Sequence, residues 1–193
     1  MMKNKIVHLT VFLLVVTGIS GLAIGYVNGI TAPVIAVQEA EKLLRGYEEV
    51  YPGADDYVPD GDTPEGQPGS RTLAMKDGQA AGVVYLVEPK GYGGEISMLV
   101  GFDIPGAKIT GIKILSQGET PGLGGNCTQP WFAERFAGKT AQRELGVVKT
   151  ETAAEDEVQA ITAATITSRA VAAGVNAARL DFAAAFGSDT SAE

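Results

Sequence analysis

From Ile6 to Ile30 the chain carries no Asp, Glu, Lys or Arg. A bilayer core takes about 20 such residues in a helix, so a transmembrane helix over 6–30 is the first constraint on any fold. His8, Thr10, Thr17, Ser20 and Asn28 interrupt the run, but such side chains can bond to the backbone or lie near the interfaces. The apolar core of a cleaved signal peptide spans about 7–15 residues. This run is longer and reads as an uncleaved anchor. Lys3 and Lys5 precede it, and the exit segment Gly29-Ile30-Thr31-Ala32-Pro33 has no positive charge. Positive flanks stay in the cytoplasm. The expectation is a cytoplasmic tail over 1–5 and an extracytoplasmic remainder.

Beyond the anchor, Val37, Ala40, Leu44 and Tyr47 recur at helical spacing. They define a linking helix over 31–50, with Pro33 acceptable in a first turn. Tyr51 to Ser70 is rich in Pro, Gly and Asp and reads as an exposed loop. Strands are expected at 71–76, 81–88, 95–103, 108–115 and 144–149. Asp77-Gly78 and Pro105-Gly106 mark turns between them. Val171, Val175, Ala178 and Phe182 then lie on one face of a helix. The fold class is α+β, a single N-terminal transmembrane helix followed by a soluble domain with a mainly antiparallel sheet flanked by helices. That domain covers 51–186, with an acidic connection over 150–157 and a mobile polar tail over 187–193.

Composition narrows the chemistry. The net charge of −8 over 193 residues opposes nucleic acid. Cys127 is the only cysteine, so no internal disulfide can form. A lone cysteine of this kind reads as a small buried residue. His8, the only histidine, lies in the anchor. The chain therefore has no Ser-His-Asp set and no Cys/His cluster for zinc or iron–sulfur binding. No catalytic or metal-ligating residue is assigned, and the chemistry has to come from a cofactor.

Two stretches have the composition to hold one. The first is glycine-rich: Gly91-Tyr92-Gly93-Gly94, then Glu119-Thr120-Pro121-Gly122-Leu123-Gly124. It lacks the Lys and the spacing of a P-loop. It reads either as tight turns or as backbone that approaches a flat polar ring edge, with Leu123 on the ring face and Thr120 near its polar edge. The second is Gln159-Ala160-Ile161-Thr162-Ala163-Ala164-Thr165-Ile166-Thr167-Ser168. Hydroxyls ahead of an amphipathic run cap helices. One of them is alternatively an attachment point, because a helix N-terminus favours a phosphate. Thr162, Thr165, Thr167 and Ser168 all offer an oxygen, and chemistry alone does not choose among them. Trp131, Phe132 and Phe136 lie on a short helical segment and read as core, with contact to a bound ring as the sharper alternative.

The second stretch resembles the attachment motif of the bacterial FMN-binding domains found in the G subunit of Rnf electron transport complexes and in the C subunit of the sodium-pumping NADH:quinone oxidoreductase. The family pattern runs Asp-Ala-x-(Ser/Thr)-Gly-Ala-Thr-x-(Thr/Ser)-Ser. Gln159 stands at its Asp and Ala163 at its Gly, while Ala164-Thr165 and Thr167-Ser168 match. The Gly-Tyr-Gly-Gly and Glu-Thr-Pro-Gly-Leu-Gly elements resemble the same family, and with the anchor the resemblance covers essentially the whole chain. It implies FMN joined through a phosphoester to Thr165, with Thr162, Ala163, Ala164, Ile166 and Thr167 around the bond and Glu119, Thr120, Gly122, Leu123 and Gly124 along the flavin. It also implies a flavin transferase for maturation, and partner membrane and redox subunits in a complex that couples ferredoxin oxidation and NAD reduction to ion translocation in the bacterial inner membrane. Two other readings stand beside it: a stand-alone extracytoplasmic flavin reductase, which would not co-purify with membrane redox subunits, and a non-catalytic assembly protein, which would be colourless.

Overall fold

The computed structural model describes residues 2–150 and 154–187, with side chains from Lys5 onward. Residues 151–153 of the acidic connection, and the expected tail apart from Gly187, lie outside the described residues.

One helix, α1 (Met2–Val50), contains both the expected transmembrane segment and the expected linking helix. Pro33 sits inside it rather than opening a new helix. Proline removes a backbone donor, yet the helix continues through it. The threonines in and just after the apolar stretch satisfy themselves on their own helix: Thr10 donates to the Ile6 carbonyl at 3.0 Å, Thr17 to Leu13 at 2.8 Å and Thr31 to Val27 at 3.1 Å. Such local bonding is what a lipid environment demands of a polar side chain. Leu9, Phe12, Leu22 and Ile24 are exposed around the stretch, and its length and apolarity suffice to cross a membrane.

The chain divides into two compact units within α1, between Glu41 and Lys42. The second unit is built on a five-stranded antiparallel meander: β1 (Asp56–Asp60), β2 (Arg71–Lys76), β3 (Gln79–Val87), β4 (Ser97–Asp103) and β5 (Lys108–Ser116), paired in chain order. β2 to β5 occupy the segments expected of strands. β1 falls inside the expected loop, because Asp-Tyr-Val-Pro-Asp gives too short an alternation to read. Its Pro59 is tolerated because β1 is an edge strand. Asp77 and Gly78 both have positive φ, 52° and 77°. They form the two-residue hairpin loop that their sequence signals.

Alternation along β3 and β4 sends side chains to opposite faces. On one face Val84, Leu86 and Leu99 pack with Tyr47 and Val50 at the end of α1 and with Tyr51. Lys42 donates to the Leu115 carbonyl, and Lys113 pairs with Glu49. Burial pushes the Tyr47 hydroxyl up to about 12. On the other face Val83, Tyr85, Met98, Val100 and Phe102 meet α3 (Thr165–Phe186) through Val171, Val175, Ala178 and Phe182. Phe182 stacks on Phe102 with ring centroids 4.8 Å apart. Gly174 lets α3 approach, since a Cβ there would meet Pro89 at 2.8 Å and Met98 at 3.3 Å.

Between β5 and α3 the chain makes a 3-10 turn (Gly124–Thr128), a single helical turn α2 (Pro130–Ala133), and two short strands. These are β6 (Gly146–Val148) and β7 (Glu157–Gln159), paired in parallel. β6 lies within the expected 144–149 strand. β7 was not expected, because three residues carry no measurable period.

Candidate functional site

Starting from the hydroxyl-rich stretch, α3 begins at Thr165, inside that stretch rather than after it, and no side chain caps it. Ala164 occupies the cap position and donates its N–H to the Ile161 carbonyl at 3.0 Å. Between them Ala163 has φ of 62°, a left-handed conformation that L-residues adopt at a cost. This is the position where the resembling family has glycine.

The four hydroxyls have separate fates. Ser168 is buried, accepts from the Ile161 N–H at 2.9 Å and donates to the Ala164 carbonyl at 3.0 Å. Thr167 is buried and donates to Glu119 Oε2 at 2.6 Å. Thr162 is exposed on the turn. Thr165 is half-buried, and its hydroxyl makes no hydrogen bond among the described residues. The N–H groups of Thr165, Ile166 and Thr167 precede the first bond back into α3, the Ser168 N–H to the Ala164 carbonyl. They are the orphan donors of a helix start.

The facing wall is the glycine-rich element. Glu119 is only 6% exposed. Its Oε1 accepts from the Gly93 N–H at 2.8 Å while its Oε2 takes the Thr167 hydroxyl. A Cβ at Gly91 or Gly124 would run into this carboxylate, and one at Gly93 into the Gly118 carbonyl. The glycines admit Glu119 and bring the two loops together. Pro121-Gly122 turns the loop, with Gly122 at φ of 78° and the Leu123 N–H donating to Thr120.

Between these walls lies a cavity of about 410 Å³. Glu119, Thr120, Leu123 and Gly124 line one side. Ala163, Ala164, Thr165, Ile166 and Thr167 line the other. Two of the expected residues, Thr162 and Gly122, lie outside the lining and belong to the turns that shape it. Tyr92 lines the cavity and was not singled out from the sequence. An aromatic placed among three glycines was the signal available. Tyr92 is 73% exposed, Ile166 57% and Leu123 44%, so apolar surface surrounds the opening.

Phe132 and Phe136 are fully buried in the sheet core and do not reach the cavity. Trp131 is outside the lining too, stacked on the Arg135 guanidinium at 4.7 Å. The core reading of these aromatics therefore holds for Phe132 and Phe136. Arg135 also donates to the Gln159 carbonyl at 2.7 Å, which pins the start of the attachment stretch. Cys127 is buried, and burial, with Glu119 nearby, pushes its thiol up to about 11. It is a neutral packing residue at ordinary pH. Among the described residues no group of His, Cys, Asp and Glu is arranged to hold a metal ion.

The α+β domain thus carries an apolar-rimmed cavity at a helix start, between a hydroxyl-bearing wall and a glycine-rich wall, a setting that suits a flat ligand bearing a phosphate. The model of the FMN-binding domain family matches residues 91–179, which contain both walls. The chain is 35% identical over 182 residues to the G subunit of the Na(+)-translocating ferredoxin:NAD(+) oxidoreductase complex of Acetobacterium woodii, covering 87% of each chain. It is 35% identical to the G subunit of the proton-translocating complex of Clostridium ljungdahlii, covering 91% of each. Among solved structures it resembles the C subunit of the Na(+)-translocating NADH-quinone reductase of Parabacteroides distasonis, at 27% identity and a TM-score of 0.52, covering 64% of this chain and 63% of that one. The chain belongs to the family of G subunits of ion-translocating ferredoxin:NAD(+) oxidoreductase complexes, the Rnf complexes. It is a membrane-anchored electron-transfer flavoprotein within such an oxidoreductase, with FMN as its cofactor and the other proteins of the complex as its partners.

The residues present fit FMN. Orphan N–H groups at the α3 start suit a phosphate. Leu123, Ile166 and Tyr92 offer apolar surface to a flat ring. The volume falls in the range of about 300–1,000 Å³ usual for such ligands.

Proposed function

We propose that this protein relays electrons between neighbouring redox subunits of its complex through FMN bonded by its phosphate to Thr165 Oγ1. The observation that carries the reading is the Thr165 hydroxyl. Among Thr162, Thr165, Thr167 and Ser168, it alone both lines the cavity and is free of hydrogen bonds among the described residues. When bound, FMN supplies one- and two-electron chemistry at its ring. Thr165 keeps the cofactor from diffusing away. The N–H groups of residues 165–167 would hold its phosphate, and Leu123 and Ile166 would cover the ring and exclude water.

Attachment requires a flavin transferase that uses FAD. The Thr165 oxygen takes the FMN phosphoryl group, the bond to the AMP half breaks, and the hydroxyl proton leaves as AMP is released. Lys3 and Lys5 ahead of the apolar stretch support a cytoplasmic N-terminus with the flavin domain outside the inner membrane. In the relatives the complex joins ferredoxin and NAD(+) to ion translocation. The same coupling is proposed here, with this protein as a carrier within it rather than a complete enzyme.

Intact mass with peptide mapping, on protein made with the host's own transferase, tests cofactor, linkage and residue together. The expected result is one FMN on Thr165. A chain without covalent flavin, or with it on Thr162, Thr167 or Ser168, would overturn the assignment. Protease added to the extracytoplasmic face of oriented vesicles should digest the domain beyond Ala32, and protection there reverses the topology.

A further inference from the structure

Glu119 lines the cavity, yet both its carboxylate oxygens are engaged inside the protein. It is 6% exposed. Burying a carboxylate is costly unless it is hydrogen-bonded. Here the bonds reach two separate elements: the Gly93 N–H on the β3–β4 connection and the Thr167 hydroxyl on the first turn of α3. Glu119 is itself held by its own N–H, which donates to Gln117 Oε1 at 2.5 Å. Gly91 and Gly124 lack the side chains that would push it out.

The first turn of α3 needs such a tether. It has no side-chain cap. Ser168 binds only the turn that precedes it. The Thr167–Glu119 bond is the hydrogen bond that crosses from α3 to the glycine wall. Successive helical residues are rotated by about 100°. Fixing Thr167 therefore fixes the rotation of Thr165, two residues earlier. It also engages the Thr167 hydroxyl, the other hydroxyl that lines the cavity on this wall.

We propose that Glu119 is a positioning residue for flavin attachment, latching Thr167 so that Thr165 is the one hydroxyl of the α3 wall of the cavity left free for the incoming phosphoryl group. The inference rests on the proposed attachment at Thr165. It gives the Thr167 hydroxyl a role that does not require it to touch the flavin.

The test compares Thr167→Val, Thr167→Ser, Glu119→Gln and Glu119→Ala in the full-length chain, expressed with the transferase, by the rate at which covalent FMN appears on each. Valine keeps the methyl packing of Thr167 and loses the hydroxyl; serine does the reverse. A latch predicts that Thr167→Val slows attachment on the order of tenfold to a hundredfold, the scale of a small misplacement of a reacting group, while Thr167→Ser stays near wild type. A purely structural Thr167 predicts the opposite order. Glu119→Ala should match Thr167→Val and raise hydrogen exchange at the Gly93 amide in the flavin-free protein. Glu119→Gln should be intermediate, because its amide can still bridge if the Thr167 hydroxyl accepts. Wild-type chain labelled at Thr165 with Thr167→Val equally fast, or Thr167→Ser as slow as Thr167→Val, overturns the latch alone. Wild-type chain without flavin on Thr165 overturns the latch together with the attachment reading.

Discussion

The two walls of the cavity are built on opposite plans. The wall from Gly91 to Gly94 and Glu119 to Gly124 is shaped by what is missing. Gly91 and Gly124 lack side chains and Glu119 fills the room they leave, while Gly93 admits the Gly118 carbonyl. The wall from Ile161 to Ser168 is shaped by what is present, namely four hydroxyls of which Thr167 and Ser168 are engaged inside the protein. At the glycines of the first wall a change acts through sterics and should be felt as stability. On the hydroxyl wall a change at Thr165 acts on a group that holds nothing together and should be felt only as chemistry.

The sharpest way to break this contrast is at Thr165. Thr165→Val keeps the shape and removes the oxygen, so covalent flavin should vanish while thermal unfolding of the domain stays within about 0.5 kcal/mol of wild type, as for a residue without structural partners. Thr165→Ser should retain labelling. A large loss of stability in Thr165→Val would show that the hydroxyl wall is structural after all, and full labelling would remove Thr165 from the chemistry.

Gly93→Ala is the mirror experiment. Its Cβ meets the Gly118 carbonyl, a backbone atom that cannot rotate away. Overpacking of this kind costs about 1–3 kcal/mol, readable as a lowered denaturant midpoint in the flavin-free protein. Gly124→Ala meets the Glu119 carboxylate and Thr167 Oγ1, which are buried and bonded to each other, and should cost a similar amount by breaking that bond. Equal and negligible costs at both positions would mean that the glycines are ordinary turn residues.

A smaller effect is expected at Leu123, which is 44% exposed beside the cavity. Leu123→Ala removes apolar cover from the proposed ring site without touching the hydroxyl wall. Attachment should persist while the flavin absorption bands and midpoint potential shift. An unchanged spectrum and potential would leave Leu123 as a loop residue only.

The same contrast explains what was legible in the sequence. β3 and β4 are near-continuous apolar runs bounded by turn signals, β5 alternates, and the α3 face repeats at helical spacing, so the sheet and its covering helix could be read locally. β1 and β7 could not, since Pro59 and a three-residue length erase the period. The continuity of α1 through Pro33 was hidden because proline reads as a start or a break. At the site, the two motifs marked both walls. The division of labour among the hydroxyls was not legible, because it depends on Glu119, far from Thr167 in the chain and bonded to it only in the fold. Tyr92 had a local signal, an aromatic among three glycines, but its place in the lining comes from the meeting of two loops.

The smallest expected effect is at Ala163, where the hydroxyl wall carries strain. Its φ of 62° costs an L-residue about 1–2 kcal/mol. Glycine relieves that cost but gives back roughly 0.4–1 kcal/mol by loosening the unfolded chain. Ala163→Gly should therefore stabilise the flavin-free domain by about 0.5 kcal/mol, seen as a slightly higher urea midpoint at unchanged slope. Gly122 gives the control on the other wall. Its φ is 78°, nothing lies near its absent Cβ, and Gly122→Ala should lose stability through backbone strain alone. If Ala163→Gly lowers the midpoint instead, the methyl group of Ala163 contributes packing that outweighs the strain. The hydroxyl wall would then share the steric logic of the glycine wall, and the contrast between them would shrink to Thr165 itself.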